Sequence, residues 1–98
     1  MRWTFDAELF LWHGDAVSWM FLRLPVDVAD EIRDHSDREP RPGFGSIRVG
    51  ATIGGTAWAT SVYPEKESRS FLLPVKKKVR TAEGVDDGDI AKVTIELA

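Results

Sequence analysis

SIRVGATIGGTAWATSVY, residues 46–63, is the stretch on which the fold turns. In its first half Ile47, Val49, Ala51 and Ile53 alternate with Arg48, Gly50 and Thr52. This is the two-residue period of a strand with one face in a core and the other in water. Gly54-Gly55 follows at once. A Gly pair between two alternating runs predicts a two-residue hairpin, because the primed turns that match strand twist need positive φ. Residues 56–63 are then the return strand, presenting either Trp58, Thr60 and Val62 or Ala57, Ala59 and Ser61 to the core; Trp58 is assigned inside.

The same alternation recurs on both sides of this hairpin. Over residues 2–12, Trp3, Phe5, Ala7, Leu9 and Leu11 share one face and Thr4, Asp6 and Glu8 the other, while Phe10 and Trp12 bring aromatic bulk to the polar side near the end. His13-Gly14-Asp15 supplies turn chemistry, and residues 17–24 resume an aromatic and aliphatic run, so the two segments read as a hairpin. Pro25 has a fixed φ and no N–H, which suits a helix's first turn. Asp27, Asp30 and Glu31 favour the positive end of that helix and Val28, Ala29 and Ile32 form its apolar stripe, so a helix runs to about His35. The segment 36–45 holds Asp37, Pro40, Pro42 and Gly43 without any period and is expected to be an exposed loop.

Beyond the charged turn 64–68, residues 69–75 place Phe71, Leu73 and Val75 on one strand face. Residues 76–82 form a short helical turn closed by Gly84, the usual residue just past a helix end. Asp86-Asp87-Gly88-Asp89 makes a turn, and the last strand sets Ala91, Val93, Ile95 and Leu97 against Lys92, Thr94 and Glu96. About six strands and two short helices result. Such strands bury both sheet faces poorly as a flat layer and leave open edges, so the expected fold is a mainly β, small closed or partly closed barrel.

Composition sets the limits. The 98 residues suffice for one core, so residues 1–98 are expected to be a single domain. Hydrophobic residues make up 43% and charged residues 30%, the balance of a globular chain and not of disorder. Four Trp and five Phe compensate for small size, since each buried large apolar side chain contributes roughly 1.5 to 3 kcal/mol. With no Cys, disulfides and thiolate metal sites are excluded. No leader-like segment and no run of about 18 apolar residues is seen, so the expected location is the cytoplasm, with no membrane contact. A net charge of −3 gives no general affinity for nucleic acid.

Phe5, Trp19, Leu24-Pro25, Val49-Gly50, Ile53-Gly54-Gly55, Tyr63-Pro64, Lys78, Arg80, Gly84 and Gly88-Asp89, in that order and followed by the closing strand, resemble the bacterial domain-of-unknown-function family nineteen-zero-five over almost the whole chain. The resemblance implies a small β-barrel. Some members of that family carry a bacteriocin-protection domain, which this chain lacks, and no catalytic residue carries over. Two positions depart from the family's pattern: Gly54 stands where an Asn-Gly turn is common, and Glu83 stands where an apolar residue often precedes Gly84. The C-terminal half, from Leu72-Leu73-Pro74-Val75 through Gly88-Asp89, also resembles the AbrB and MazE class of swapped-hairpin barrels.

The candidate binding residues are Lys76, Lys77, Lys78 and Arg80, a basic cluster able to neutralise phosphates, and Trp12, an aromatic on a polar strand face. Each has a plainer reading. A Lys run is commonly a solvated face, and Arg80 among Asp86, Asp87 and Asp89 suits a role holding the Gly-Asp turn. Trp3, Trp19 and Trp58 are assigned to core packing. His13, beside Asp15, has too few companions for a metal site; it and His35 fit a turn and a helix end. Asp6 and Glu8 read as a solvated strand face. No catalytic, cofactor-binding or metal-ligating residue is assigned, and no cofactor is expected. The expected function is a non-enzymatic module binding a protein or small ligand through the loop 36–45 and the basic turn. The alternative is nucleic-acid binding by a dimeric barrel of the AbrB type. Monomer and homodimer both fit the alternation.

Overall fold

A computed structural model describes residues 1–13, 18–36 and 45–97. Among them the elements run β1 (Arg2–His13), β2 (Ser18–Arg23), α1 (Val26–Ser36), β3 (Ile47–Ile53), β4 (Thr56–Glu65), β5 (Ser70–Pro74), α2 (Lys77–Glu83) and β6 (Ile90–Leu97). The expected turn at Gly14-Asp15 and residues 37–44 of the expected loop lie outside the described residues. All strand pairs are antiparallel and the sheet closes in the order β1-β2-β5-β4-β3-β6, the barrel expected from the alternation. β5 pairs with β2 and β4 while β6 pairs with β1 and β3, so the AbrB likeness extends here only to the order of elements. Among the described residues no helix is long and apolar enough to cross a membrane.

The interior is built from the alternating positions. Leu9, Leu22, Val49, Val62, Phe71, Leu73, Val93 and Ile95 are all buried, and every described buried side-chain polar atom has a partner. Trp58 faces inward as expected, half-buried against the core opposite Ala51, and Val62 four positions on is fully buried. Helix α1 buries Val28, Ala29 and Ile32 and is tied to β1 by the Trp3 indole N–H donating to Glu31 at 3.0 Å. It packs at the end where β5 begins: Arg33 donates to the Arg69 carbonyl at 2.9 Å and lies 5.2 Å from the centre of the Phe71 ring.

Two assignments to the core are corrected. Trp19 is 50% exposed, because Met20 and Leu22 take the inward positions of β2 and the intervening residues must point out. Leu11 shares a face with Leu9 but is exposed: β1 loses its β6 partner after Glu8, and the strand runs on paired with β2 alone.

Gly54 and Glu83 meet in space. Gly54 has φ 57° in the two-residue turn between Ile53 and Thr56, and a Cβ placed there would lie 1.9 Å from a carboxylate oxygen of Glu83. That carboxylate accepts a 2.6 Å hydrogen bond from the Thr56 hydroxyl, so the C-terminal turn of α2 is tied to the β3–β4 turn. Gly84 ends α2 in the left-handed region at φ 66°.

Arg23 and Glu65 form the best-made ion pair, with contacts of 2.5 and 3.0 Å across β2 and β4 at the outer surface. The hydrogen bond from Arg23 holds the Glu65 carboxyl below its ordinary value, with Ser68 adding a second bond and burial opposing both. A carboxyl depressed in the folded state contributes stability above its unfolded pKa and loses it as pH falls through the folded one. Wild type should therefore exceed Glu65→Gln in stability at neutral pH, by less than about 1 kcal/mol for so exposed a pair. Urea denaturation across acid pH should show that margin vanish at low pH; a margin independent of pH would refute the assignment.

Candidate functional site

The β4–β5 seam is short, and the site lies where it runs out. β4 pairs with β5 only through Tyr63–Glu65, so its earlier residues face, on that side, the chain leaving β5 and then α2. Pro74 has no N–H to continue the ladder. The Val75 N–H instead donates to the Met20 carbonyl at 2.9 Å, which extends the β2–β5 register by one step. α2 then starts at Lys77 and buries Val79.

Between these walls is a cleft of about 400 Å³. Trp19 and Trp58 line it from β2 and β4, Lys76, Lys77 and Arg80 from the β5–α2 connection and α2, and Thr60 and Pro74 complete it. Among the described residues no Asp, Glu, His, Ser or Cys contributes to the lining. Among the described residues neither Lys76 nor Lys77 has an ion-pair partner. Arg80 is anchored at its base, donating from Nε to the Val75 carbonyl at 3.2 Å, with Asp86 at 3.7 Å on its far side. The expected bidentate clasp of the Gly-Asp turn by Arg80 is not formed. The turn's own carboxylates do that work: Asp89 accepts from the Asp86 N–H at 2.8 Å and Asp87 from the Leu11 N–H at 2.9 Å.

The structure thus gathers Lys76, Lys77 and Arg80 in one cleft and leaves Lys78 exposed outside it. Trp12 is outside the cleft but pairs across the hairpin with Trp19, on the outer face of the barrel, and the two are 48% and 50% exposed. Phe10 and Phe21 form the next pair on that face; the Arg23 guanidinium lies 4.8 Å from the Phe10 ring centre, and Trp19 stacks on Phe21 at an interplanar angle of 17°. Trp19 and Trp58 were the residues missed as site members. For Trp19 a signal existed, since a hairpin partner of an outward Trp12 must itself point outward. For Trp58 none did, because its opening onto the cleft depends on where β5 stops.

The other candidates take plainer roles. Among the described residues no cluster of His, Asp or Glu is able to hold a metal ion. His35 makes a ring contact with Trp3 in the last turn of α1, and Asp6 lies 3.7 Å from Lys92 on an exposed strand face.

A closed six-stranded antiparallel barrel with two short helices and one basic, aromatic cleft defines the class of protein. The chain belongs to the family described as Domain of unknown function (DUF1905), whose model matches residues 5–95, in agreement with the resemblance of the sequence. No curated protein matches the chain.

Proposed function

We propose that the 98-residue chain acts as one non-enzymatic binding module, and that its ligand is an anion carrying a flat apolar group, held in the cleft beside α2. The observation that carries this reading is the meeting of Trp19 and Trp58 with Lys76, Lys77 and Arg80 in a lining to which no carboxylate contributes among the described residues. A cleft of about 400 Å³ has the size of a small-ligand site. Indole faces offer a stacking surface, and two ammonium groups without an ion-pair partner among the described residues, with an anchored guanidinium, supply charge. Among the described residues the lining lacks the His, Asp, Glu, Ser and Cys side chains on which acid–base and nucleophilic catalysis mostly draw, which favours binding over turnover.

The test measures tryptophan fluorescence and thermal stability with three probes: inorganic pyrophosphate, adenosine monophosphate and uncharged adenosine. The nucleotide should quench the fluorescence and raise Tm, adenosine should bind at least about tenfold more weakly, and the double variant Lys76→Ala/Lys77→Ala should lose about tenfold for the nucleotide. No response to either anion at about 10 mM, a concentration roughly 100 times a weak Kd of about 0.1 mM, would overturn the reading.

A further inference from the structure

We infer that the occupant of this cleft is single-stranded nucleic acid, and that the strand continues from the cleft across the outer face of the β1–β2 hairpin. The inference rests on the reading of the cleft as an anion site and adds an observation of its own. Trp12 and Trp19 are direct cross-strand partners on the outer face. The β2–β5 register pairs Phe21 with Pro74, and the Val75 N–H to Met20 bond carries it one step further. Lys76 is the next residue along and lines the cleft together with Trp19, so Trp12, Trp19 and Lys76 follow one another from the β1–β2 hairpin to the start of α2. Neighbouring strands about 4.8 Å apart set the spacing of the Trp12 and Trp19 backbones.

The chemistry of these residues selects the partner. Two large aromatic rings are each about half in water, and one of them, Trp19, shares the cleft with Lys76, which has no ion-pair partner among the described residues; Lys77 and Arg80 continue the positive charge there. A purely apolar partner leaves those cations unmatched, and a purely anionic one leaves the indoles wet. Unpaired bases on a phosphate backbone satisfy both, by stacking on the rings and by placing phosphates on the cations. A duplex does not, because its bases are already stacked on one another. The acidic turn borders this surface: its Asp87 accepts from the Leu11 N–H beside Trp12 and its Asp86 lies 3.7 Å from Arg80, so Lys76 and Lys77 are the cations left in the cleft for a phosphate among the described residues. In the neighbouring row the Arg23 guanidinium already covers Phe10, which leaves the Trp row as the open platform.

The experiment is fluorescence anisotropy of the full chain with a labelled 12-nucleotide RNA, DNA of the same sequence and the matching duplex, at 50 and 200 mM salt. The single strands should bind at least about tenfold more tightly than adenosine monophosphate and than the duplex, with affinity falling about ten- to twentyfold over that salt range for two to three phosphate contacts. Trp12→Ala and Trp19→Ala should each cost about tenfold or more for the strands, and Lys76→Ala/Lys77→Ala should flatten the salt dependence. Both tryptophans are half exposed, and unchanged thermal unfolding will show that the variants fold.

If the mononucleotide binds but the strands bind no more tightly, this inference fails while the anion site stands. If neither binds, both fail. Duplex binding equal to single-strand binding, or Trp variants without effect, overturns the stacking platform. Light scattering that shows a dimer abolished by Trp12→Ala, with oligonucleotide unable to dissociate it, overturns the inference by giving the face to a second copy of the chain.

Discussion

Replacing Phe71 by Ala should destabilise the protein by about 3–5 kcal/mol, the range for removing a large aromatic from a packed core. Phe71 is 1% exposed and is among the largest fully buried side chains described. It holds together three parts of the structure: the β5 strand it stands on, the Leu24 segment whose N–H donates to the Phe71 carbonyl at 3.0 Å, and α1 through Arg33 over its ring. Removing the ring leaves a cavity that rigid strands on both sides of β5 close poorly, and uncovers the Arg33 contact as well. Small domains have only about 5–15 kcal/mol in hand, so the variant should unfold at a much lower urea concentration. Trp12→Ala in parallel should shift the midpoint little, since Trp12 is half in water. A Phe71→Ala cost under about 1 kcal/mol would mean that the barrel interior is not packed as described.

Gly54→Asn should destabilise the protein by about 1–3 kcal/mol, and most of that cost should disappear in a Glu83→Ala background. Asn tolerates the left-handed conformation that Gly54 adopts at φ 57°, so backbone strain contributes little. The penalty comes from the side chain, whose Cβ would fall 1.9 Å from a Glu83 oxygen. To make room the Glu83 carboxylate must swing away and give up its 2.6 Å bond from Thr56, a hydrogen bond to a charged group. With Ala at 83 there is no carboxylate to displace. A double-mutant cycle read by urea denaturation isolates the pair, with an expected coupling of about 1–2 kcal/mol. Equal cost of Gly54→Asn in both backgrounds would dismiss the contact as the reason for Gly at this position.

Physically, Gly54 and Glu83 depend on each other in this chain. A carboxylate in the position before Gly84 needs a donor, which Thr56 supplies, and needs space, which only a residue without Cβ leaves. Neither half of that relation was visible along the chain, where the two residues are far apart.

Strand alternation and turn chemistry act over two to four residues, and there the sequence was sufficient. Ile47, Val49, Ala51 and Ile53 are buried, Gly54 takes the positive φ of the hairpin, Val28, Ala29 and Ile32 are the buried side of α1, and Gly84 closes α2. Barrel closure followed from the same pattern, because unpaired edges and a half-covered sheet leave few alternatives. The misassignment of Trp19 came from taking aromatic bulk as a sign of burial when its pairing with Trp12 already placed it outside.

The amino-acid order by itself determined most of the strand positions and their apolar faces, the Gly54-Gly55 turn and the clustering of Lys76, Lys77 and Arg80 at one connection, whereas β4 runs on through Pro64 and Glu65, where a turn was expected. Only the tertiary structure decided that β5 stops short of β4, that α2 fills the seam, and that Trp19 and Trp58 from different strands face those cations across a cleft. The reason is range: periodicity and turn preference are set by neighbouring residues, whereas the length over which two distant strands pair depends on how the whole barrel closes.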